Sequence, residues 1–97
     1  MNKEFKKYFK DELGINFDTA TKSPLVLKNE LKVFGLSGFE ASITKGTSIK
    51  ITNCVDYISS ISLSLVYLEI EAPQLLIKRV SIYTKLNILI QALKEEV

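Results

Sequence analysis

Residues 60–71 alternate apolar and polar side chains, and this period of two constrains the fold more than any other stretch of the chain. Side chains along a β-strand point to opposite faces in turn, whereas a helix needs apolar residues at three- and four-residue steps. Serine also disfavours a helix interior, because its hydroxyl competes for backbone hydrogen bonds. We therefore predict a strand over residues 61–71, with a bulge absorbing one slip in the pattern between Leu65 and Val66.

A competing helical spacing runs through the same part of the chain, carried by Val55, Ile58, Ile61, Leu65 and Leu68. Asn53 followed by Asp56 also imitates the capping arrangement with which helices begin. We interpret residues 54–59 as a short helical turn before the strand. A helix through the whole of residues 54–71 stays open as the alternative.

The N-terminal segment has the pattern of an amphipathic helix. Its apolar residues recur at three- and four-residue steps on one face, with lysines on the other, and Gly14 follows where a left-handed C-terminal cap belongs. We predict a helix over residues 2–13 and a loop over residues 16–22.

Three further segments are assigned from turn signals and spacing. Ser23 and Pro24 are typical of a helix start, so we favour a short helix over residues 24–31. In the second half of the stretch that ends at Gly35, Leu31 and Val33 alternate with polar residues, and a strand there is left open. Between Phe39 and Thr52 the alternation predicts a hairpin, in which a three-residue connection places Ile43 opposite Ile49. Residues 82–96 are predicted to be a helix, and residues 75–81 are either its first turns or a last strand.

Together these elements predict one α+β domain spanning residues 1–97. Terminal helices would pack on a small antiparallel sheet of three to five strands, and an all-α bundle is the alternative. A chain of 97 residues is about the size of one compact domain, and nothing in it has the composition of a linker.

The composition excludes much catalytic and metal chemistry. The chain has no histidine and one cysteine, so the usual catalytic triads, histidine-ligated zinc sites and internal disulfides are ruled out. Cys54 is interpreted as a small buried hydrophobe, and the neighbouring carboxylates Glu69 and Glu71 as a solvated strand face. We expect no cofactor, no metal and no enzymatic activity.

Charge and hydropathy bear on location and partners. The net charge is +2, which is too small to attract nucleic acid in general. Twelve of the thirteen basic residues are lysine, whereas arginine is the residue preferred for bidentate contacts to phosphate, and this weakens the interpretation of the chain as a nucleic-acid-binding protein. The longest uncharged stretch, residues 57–68, is too short to cross a bilayer. No signal peptide is recognisable, and with one cysteine a cytoplasmic location is predicted.

One motif resembles a known family. Gly35-Leu36-Ser37-Gly38 follows the apolar pair Val33-Phe34 and precedes Ile49-Lys50-Ile51, an order that resembles a KH domain over about a quarter of the chain. The resemblance implies a GxxG loop between two helices that clamps single-stranded nucleic acid. The basic first helix would then add phosphate contacts, and this is the alternative function.

We favour a non-enzymatic module that acts by contact with another protein, or with a second copy of itself as a homo-oligomer. Immunity proteins, inhibitors and antitoxins share this small format. The strand from Leu63 to Ile70 would extend a sheet across the edge of a partner. The candidate binding residues lie on the first helix and on this strand: Phe5, Lys6, Lys7, Tyr8, Lys10, Leu63, Leu65, Tyr67 and Glu69.

Overall fold

The computed structural model describes residues 3–35, 38–59 and 64–94, with only the backbone at Ile77. It is an α+β fold, as predicted, and not an all-α bundle. Within these residues the sheet has six strands, where three to five were expected. In chain order the elements are α1 (Lys3–Leu13), α2 (Phe17–Ala20), β1 (Leu25–Val26), β2 (Leu31–Phe34), β3 (Glu40–Ile43), β4 (Ser48–Ser59), β5 (Ser64–Ala72), a 3₁₀ turn (Pro73–Leu75), β6 (Ile77–Lys85) and α3 (Leu86–Leu93).

The six strands form one sheet in the order β1-β4-β5-β6-β2-β3, and every neighbouring pair is antiparallel. The centre is a meander of the three long strands β4, β5 and β6. The β2–β3 hairpin joins it where Phe34 pairs with Tyr83. A side-chain hydrogen bond reinforces this junction, because the buried hydroxyl of Thr84 donates to the carbonyl of Lys32 at 2.8 Å.

The core lies between the helices and one face of the sheet. The predicted first helix is confirmed over Lys3–Leu13, and Gly14 ends it with φ 75° and an N–H bonded to the Lys10 carbonyl. Phe5 and Phe9 are fully buried and meet the ring of Phe17 at centroid distances of 5.0 and 5.3 Å. Because Phe17 opens α2, the predicted loop over residues 16–22 is wrong at its centre.

The helix predicted over residues 24–31 is also wrong, and the strand left open around Leu31 and Val33 is present as β2. Leu31 and Val33 are buried while Lys32 between them is exposed, which is the period of a strand. The residues before β2 instead cap the C-terminal end of α3 with hydrogen bonds. The N–H of Lys28 donates to the Ala92 carbonyl at 2.6 Å, and the side-chain amide of Asn29 donates to the Gln91 carbonyl at 2.8 Å.

The strands on either side of residues 45–47 exist, but they do not pair with each other as predicted. Ile43 lies opposite Leu31, and Ile49 lies opposite Leu25. The main chain of Leu27 occupies the turn, since its N–H donates to the Thr47 carbonyl and its carbonyl accepts from Gly46. Leu27 therefore forms the backbone hydrogen bonds that a local hairpin would need. The alternation of apolar and polar residues does not indicate which segment a strand pairs with.

The predicted helical turn at residues 54–59 is wrong, because β4 continues to Ser59. Its register against β5 shifts between Ile51 and Asn53 and again between Cys54 and Asp56. Each shift adds a residue to β4, so its inward-facing side chains follow one another at three-residue steps. Val55 and Ile58, which begin the competing helical spacing, are 43% and 46% exposed, so that spacing does not mark a buried face. The slip was expected in β5 between Leu65 and Val66, but their pairing with β4 is continuous there.

The C-terminal segment begins as a strand. Residues 77–85 form β6, which resolves the open choice for residues 75–81, and the helix begins at Leu86 rather than at residue 82. Ile82 and Thr84 are buried on the core side of β6, and Leu86, the first residue of α3, is buried as well. Within the described ranges, no helix is long and apolar enough to cross a membrane.

Candidate functional site: the open face of the sheet

The two faces of the sheet differ in what covers them. Along β5 the side chains of Val66, Leu68, Ile70 and Ala72 are buried under the helices, while the residues between them point the opposite way and stay half-buried. Their neighbours on β4, β6 and β2 follow from the pairing register. We call this second surface the open face, and its principal residues are Phe34, Ile58, Leu65, Tyr67, Glu69, Glu71, Arg79, Ser81 and Tyr83.

Three aromatic residues form a row across the open face. Tyr67 pairs with Tyr83, and Tyr83 in turn pairs with Phe34 on the next strand. The two tyrosine rings stack at a centroid distance of 4.4 Å with an interplanar angle of 16°. That spacing is close to the separation of neighbouring strands, about 4.8 Å, so the rings stand upright on the sheet and each covers one face of the other. We call Phe34, Tyr67 and Tyr83 the aromatic row.

Aliphatic side chains extend the aromatic row toward the end of β4. Ile58 lies opposite Leu65, and 46% of its surface is exposed. Leu65 is half-buried and lies one strand step from Tyr67 on the same face. This arrangement makes the middle of the open face apolar, although it is not covered by the helices.

Charged residues occupy the other end of the open face and form ion pairs with one another. Arg79 contacts Glu69 at 3.5 Å and Glu71 at 3.9 Å. The hydroxyl of Thr52 donates to both the carbonyl and a carboxylate oxygen of Glu69, at 3.0 and 3.1 Å. Glu69 and Glu71 are thus engaged in ion pairs and hydrogen bonds on a strand surface, which agrees with the interpretation of this pair as a strand face.

The candidate residues of the first helix do not join the candidate residues of β5 in one site. Phe5 is fully buried in the core, and Lys6 forms an ion pair with Asp18 at 3.1 Å. Lys7, Tyr8 and Lys10 are exposed, but the aromatic rings that would accompany the lysines on a binding surface point mostly inward. Among the strand candidates, Leu65, Tyr67 and Glu69 meet on the open face, whereas Leu63 lies outside the described residues.

The GxxG segment does not have the setting that a KH domain requires. Gly35 and Gly38 connect two strands, β2 and β3, rather than two helices. The N–H of Gly38 donates to the Gly35 carbonyl at 3.0 Å, and the N–H of Gly35 donates to the Phe39 carbonyl at 2.9 Å. The structural expectation from this resemblance is therefore wrong, because the motif closes a hairpin.

The expectation that β5 extends a partner's sheet is also wrong. β5 lies in the interior of the sheet, with β4 bonded along one side and β6 along the other. A strand can add to a partner only through backbone groups that are not already paired. The contribution of β5 to any contact must come from its side chains on the open face.

Sequence reasoning missed Phe34, Ile58 and Tyr83 as members of this surface. Tyr83 was placed in the C-terminal helix, although Ile82 and Thr84 alternate with Ser81 and Tyr83 as expected for a strand. That alternation was the available signal. Nothing in the sequence alone pairs Tyr83 with Tyr67, since their contact depends on the register between β5 and β6.

Cys54 lies on the core side of β4 with 3% of its surface exposed. Burial raises the pKa of its thiol from 9.0 to about 11, and the negative charge of Asp56 adds to this rise. The thiolate is the reactive form of cysteine, so both the environment and the pKa oppose a nucleophilic role near neutral pH.

This gives a reactivity prediction. At pH 8 we expect iodoacetamide to alkylate Cys54 in the folded protein at least about 100-fold more slowly than in urea, because a thiol pKa of about 11 instead of 9.0 lowers the thiolate fraction about 100-fold and burial also restricts access of the reagent. The folded rate should rise with pH up to about 11. Mass spectrometry measures the rates, and Cys54→Ala corrects for reaction at lysines. Equal rates in the folded and unfolded chain would contradict the burial.

No group of three or more potential metal ligands occurs in the part of the chain that the structure describes. Comparison of the chain with protein-family models, with curated proteins and with solved structures finds no match in any of the three. The function must therefore be inferred from the open face itself.

Proposed function

We propose that this protein is a non-enzymatic binding module that contacts another protein through the open face of its sheet. The aromatic row carries this proposal. Tyrosine is enriched at protein interfaces because it offers a large contact area with few rotatable bonds and a hydroxyl for hydrogen bonding. Here the stack of Tyr67 on Tyr83 orders the rings before binding, which reduces the entropy lost on association.

The charge pattern favours a protein partner over nucleic acid. Arg79 and Lys50, which lies opposite Glu71, balance Glu69 and Glu71, so these four residues carry no net charge at this end of the open face. Proteins that bind single strands combine a basic groove with aromatic rings on which bases lie flat. In the aromatic row each tyrosine ring has one face covered by the other ring, which reduces the aromatic face available for stacking with a base.

Binding of nucleic acid is tested by fluorescence anisotropy with labelled single-stranded oligonucleotides of DNA and RNA, over about 20 to 500 mM salt. We expect no rise in anisotropy when the protein is added, even at low salt. Binding that weakens steeply with salt and is lost when Lys6, Lys7 and Lys10 are neutralised would establish the nucleic-acid function instead.

Protein binding is tested by placing a photo-crosslinking amino acid at Ile58 beside the aromatic row and exposing the protein to a lysate of its source cells. We expect one discrete protein adduct, and we expect Tyr67→Ala with Tyr83→Ala to abolish it. The same crosslinker at Lys7 on α1 is the matched control. The proposal fails if adducts are absent, or if they form equally at both positions and survive the double substitution.

A further inference from the structure

The turn between β5 and β6 exposes two consecutive leucines. Residues 73–76, which we call the tip, begin with the 3₁₀ turn Pro73–Leu75. Leu75 is 48% exposed, and Leu76 is 90% exposed, the highest value among the exposed large apolar residues of the described chain. Water therefore surrounds almost all of the Leu76 side chain, and a contact that removes this apolar surface from water is favourable.

The backbone of the tip presents Leu76 at a conformational disadvantage. Its φ of 60° and ψ of 25° lie in the left-handed region, which a side chain with a β-carbon disfavours and which glycine adopts freely. Two hydrogen bonds hold the tip: the N–H of Leu76 donates to the Pro73 carbonyl at 3.0 Å, and the N–H of Ser48 donates to Gln74 Oε1 at 2.9 Å. Leucine thus occupies an ordered, exposed position that suits glycine better, and strained residues of this kind cluster at contact sites.

Exposed lysines flank the tip. Lys78 and Leu76 line the same surface depression, and Lys45 lies in the turn before β4, at the same end of the sheet. Neither lysine forms an ion pair within the described ranges of the chain. Glu71 lies beside Leu76, but Arg79 engages it at 3.9 Å. These four charged residues carry a net charge of +2, so the tip combines apolar surface with an excess of positive charge.

The small size of the tip favours a lipid surface over a protein partner. A specific protein interface buries about 800 Å² on each partner, whereas two leucine side chains bury on the order of 100 Å² each. The residues beside Leu76 are charged, so the apolar contact does not extend around it. A bilayer requires no matching pocket, because a projecting apolar segment enters the boundary between headgroups and acyl chains while lysines attract anionic lipid.

We propose that the tip docks this protein on a membrane surface that carries anionic lipid. Leu75 and Leu76 insert at the level of the headgroups, and Lys45 and Lys78 contact the negative charges of those headgroups. Each contribution is weak by itself, and the two together give reversible binding. The tip lies beyond the charged end of the open face, so this contact is separate from the aromatic row.

Co-sedimentation with large unilamellar vesicles tests the proposal. We expect the full chain to bind phosphatidylcholine vesicles that contain about 30% phosphatidylserine at about 100 mM salt, and to bind pure phosphatidylcholine at least about tenfold more weakly. Leu76→Gly should weaken binding at least about fivefold while leaving the melting temperature unchanged or higher, because glycine suits the backbone at this position. Ile58→Ser on the open face is the matched control and should bind the vesicles as the wild type does.

Tryptophan fluorescence tests whether the tip itself enters the bilayer. The chain has no tryptophan, so Leu75→Trp places a single reporter in the tip. We expect the emission of this variant to shift to shorter wavelength on the anionic vesicles and to be quenched by brominated lipid. Ile58→Trp, with its reporter on the open face, should show neither effect.

Three results overturn the proposal: no binding to the anionic vesicles at about 20 mM salt, binding that Leu76→Gly does not weaken, or a spectral shift with Ile58→Trp alone. The second result would mean electrostatic adsorption only, and the third would assign the membrane contact to the open face. A photo-crosslinker at Leu75 that gives a discrete protein adduct, with no vesicle binding, assigns the tip to a protein partner instead. Vesicle binding without the open-face crosslink contradicts only the proposed function.

Discussion

Replacing Phe5 with alanine is expected to lower the free energy of unfolding by about 3–5 kcal/mol. Phe5 is fully buried and contacts three other rings, those of Phe9, Phe17 and Tyr57, at centroid distances of 5.8, 5.0 and 6.0 Å. Its removal leaves a cavity where α1, α2 and β4 meet. A domain of this size has a total stability of only about 5–15 kcal/mol, so the variant should be close to unfolding.

Urea denaturation followed by far-UV circular dichroism measures this effect, since the chain has no tryptophan to report by fluorescence. Tyr8→Ala is the matched control on the same helix. Tyr8 is 39% exposed, and its loss should cost about 1 kcal/mol or less. If both substitutions had the same small effect, α1 would not be docked through its phenylalanines, and these rings would be available to a ligand.

Replacing Leu68 with alanine is expected to destabilise the protein by about 2–5 kcal/mol. Leu68 is fully buried on the core face of β5, and its register neighbours are Cys54 on β4 and Ile82 on β6, both of them buried. A shortened side chain at the centre of three paired strands leaves a void that the surrounding sheet cannot collapse to fill.

Leu65→Ala provides the comparison for Leu68→Ala, because the two leucines lie three residues apart on opposite faces of one strand. Leu65 is half-buried on the open face, so its truncation should cost about 1 kcal/mol. Thermal unfolding of the two variants under identical conditions distinguishes the faces. A larger loss at Leu65 than at Leu68 would mean that the core lies on the other side of the sheet.

Local patterns predicted the elements that form from neighbouring residues. The first helix follows from the spacing of Phe5 and Phe9 and ends at Gly14 as expected. The strand after residue 60 follows from an alternation with one slip, and it is present as β5 over the described residues from Ser64. These elements are recognisable because one side of each is buried and the other is not, which imposes a period on the sequence.

The errors occurred where distant residues decide the local structure. The helical turn at residues 54–59 was predicted from the spacing of Val55 and Ile58 and from Asn53 before Asp56, but pairing with β5 keeps this segment in β4. The main chain of Leu27 took the hydrogen bonds of the turn at residues 44–47, so β3 and β4 went to different partners. Both effects come from backbone hydrogen bonding between segments far apart in the chain, and side-chain pattern carries little information about it.

The candidate site shows the same division. The sequence by itself determined that the chain has no histidine, and it favoured an α+β fold with Tyr67 and Glu69 on one side of a strand. The bulge expected between Leu65 and Val66 would have put Leu65 on the other side, and the continuous pairing of β5 with β4 places it beside Tyr67 instead. Only the tertiary structure decided that Tyr67 stacks on Tyr83, that β5 is an interior strand and that Leu76 projects from the surface. Periodicity depends on which side of a segment is buried, whereas strand order and register depend on which segments share backbone hydrogen bonds.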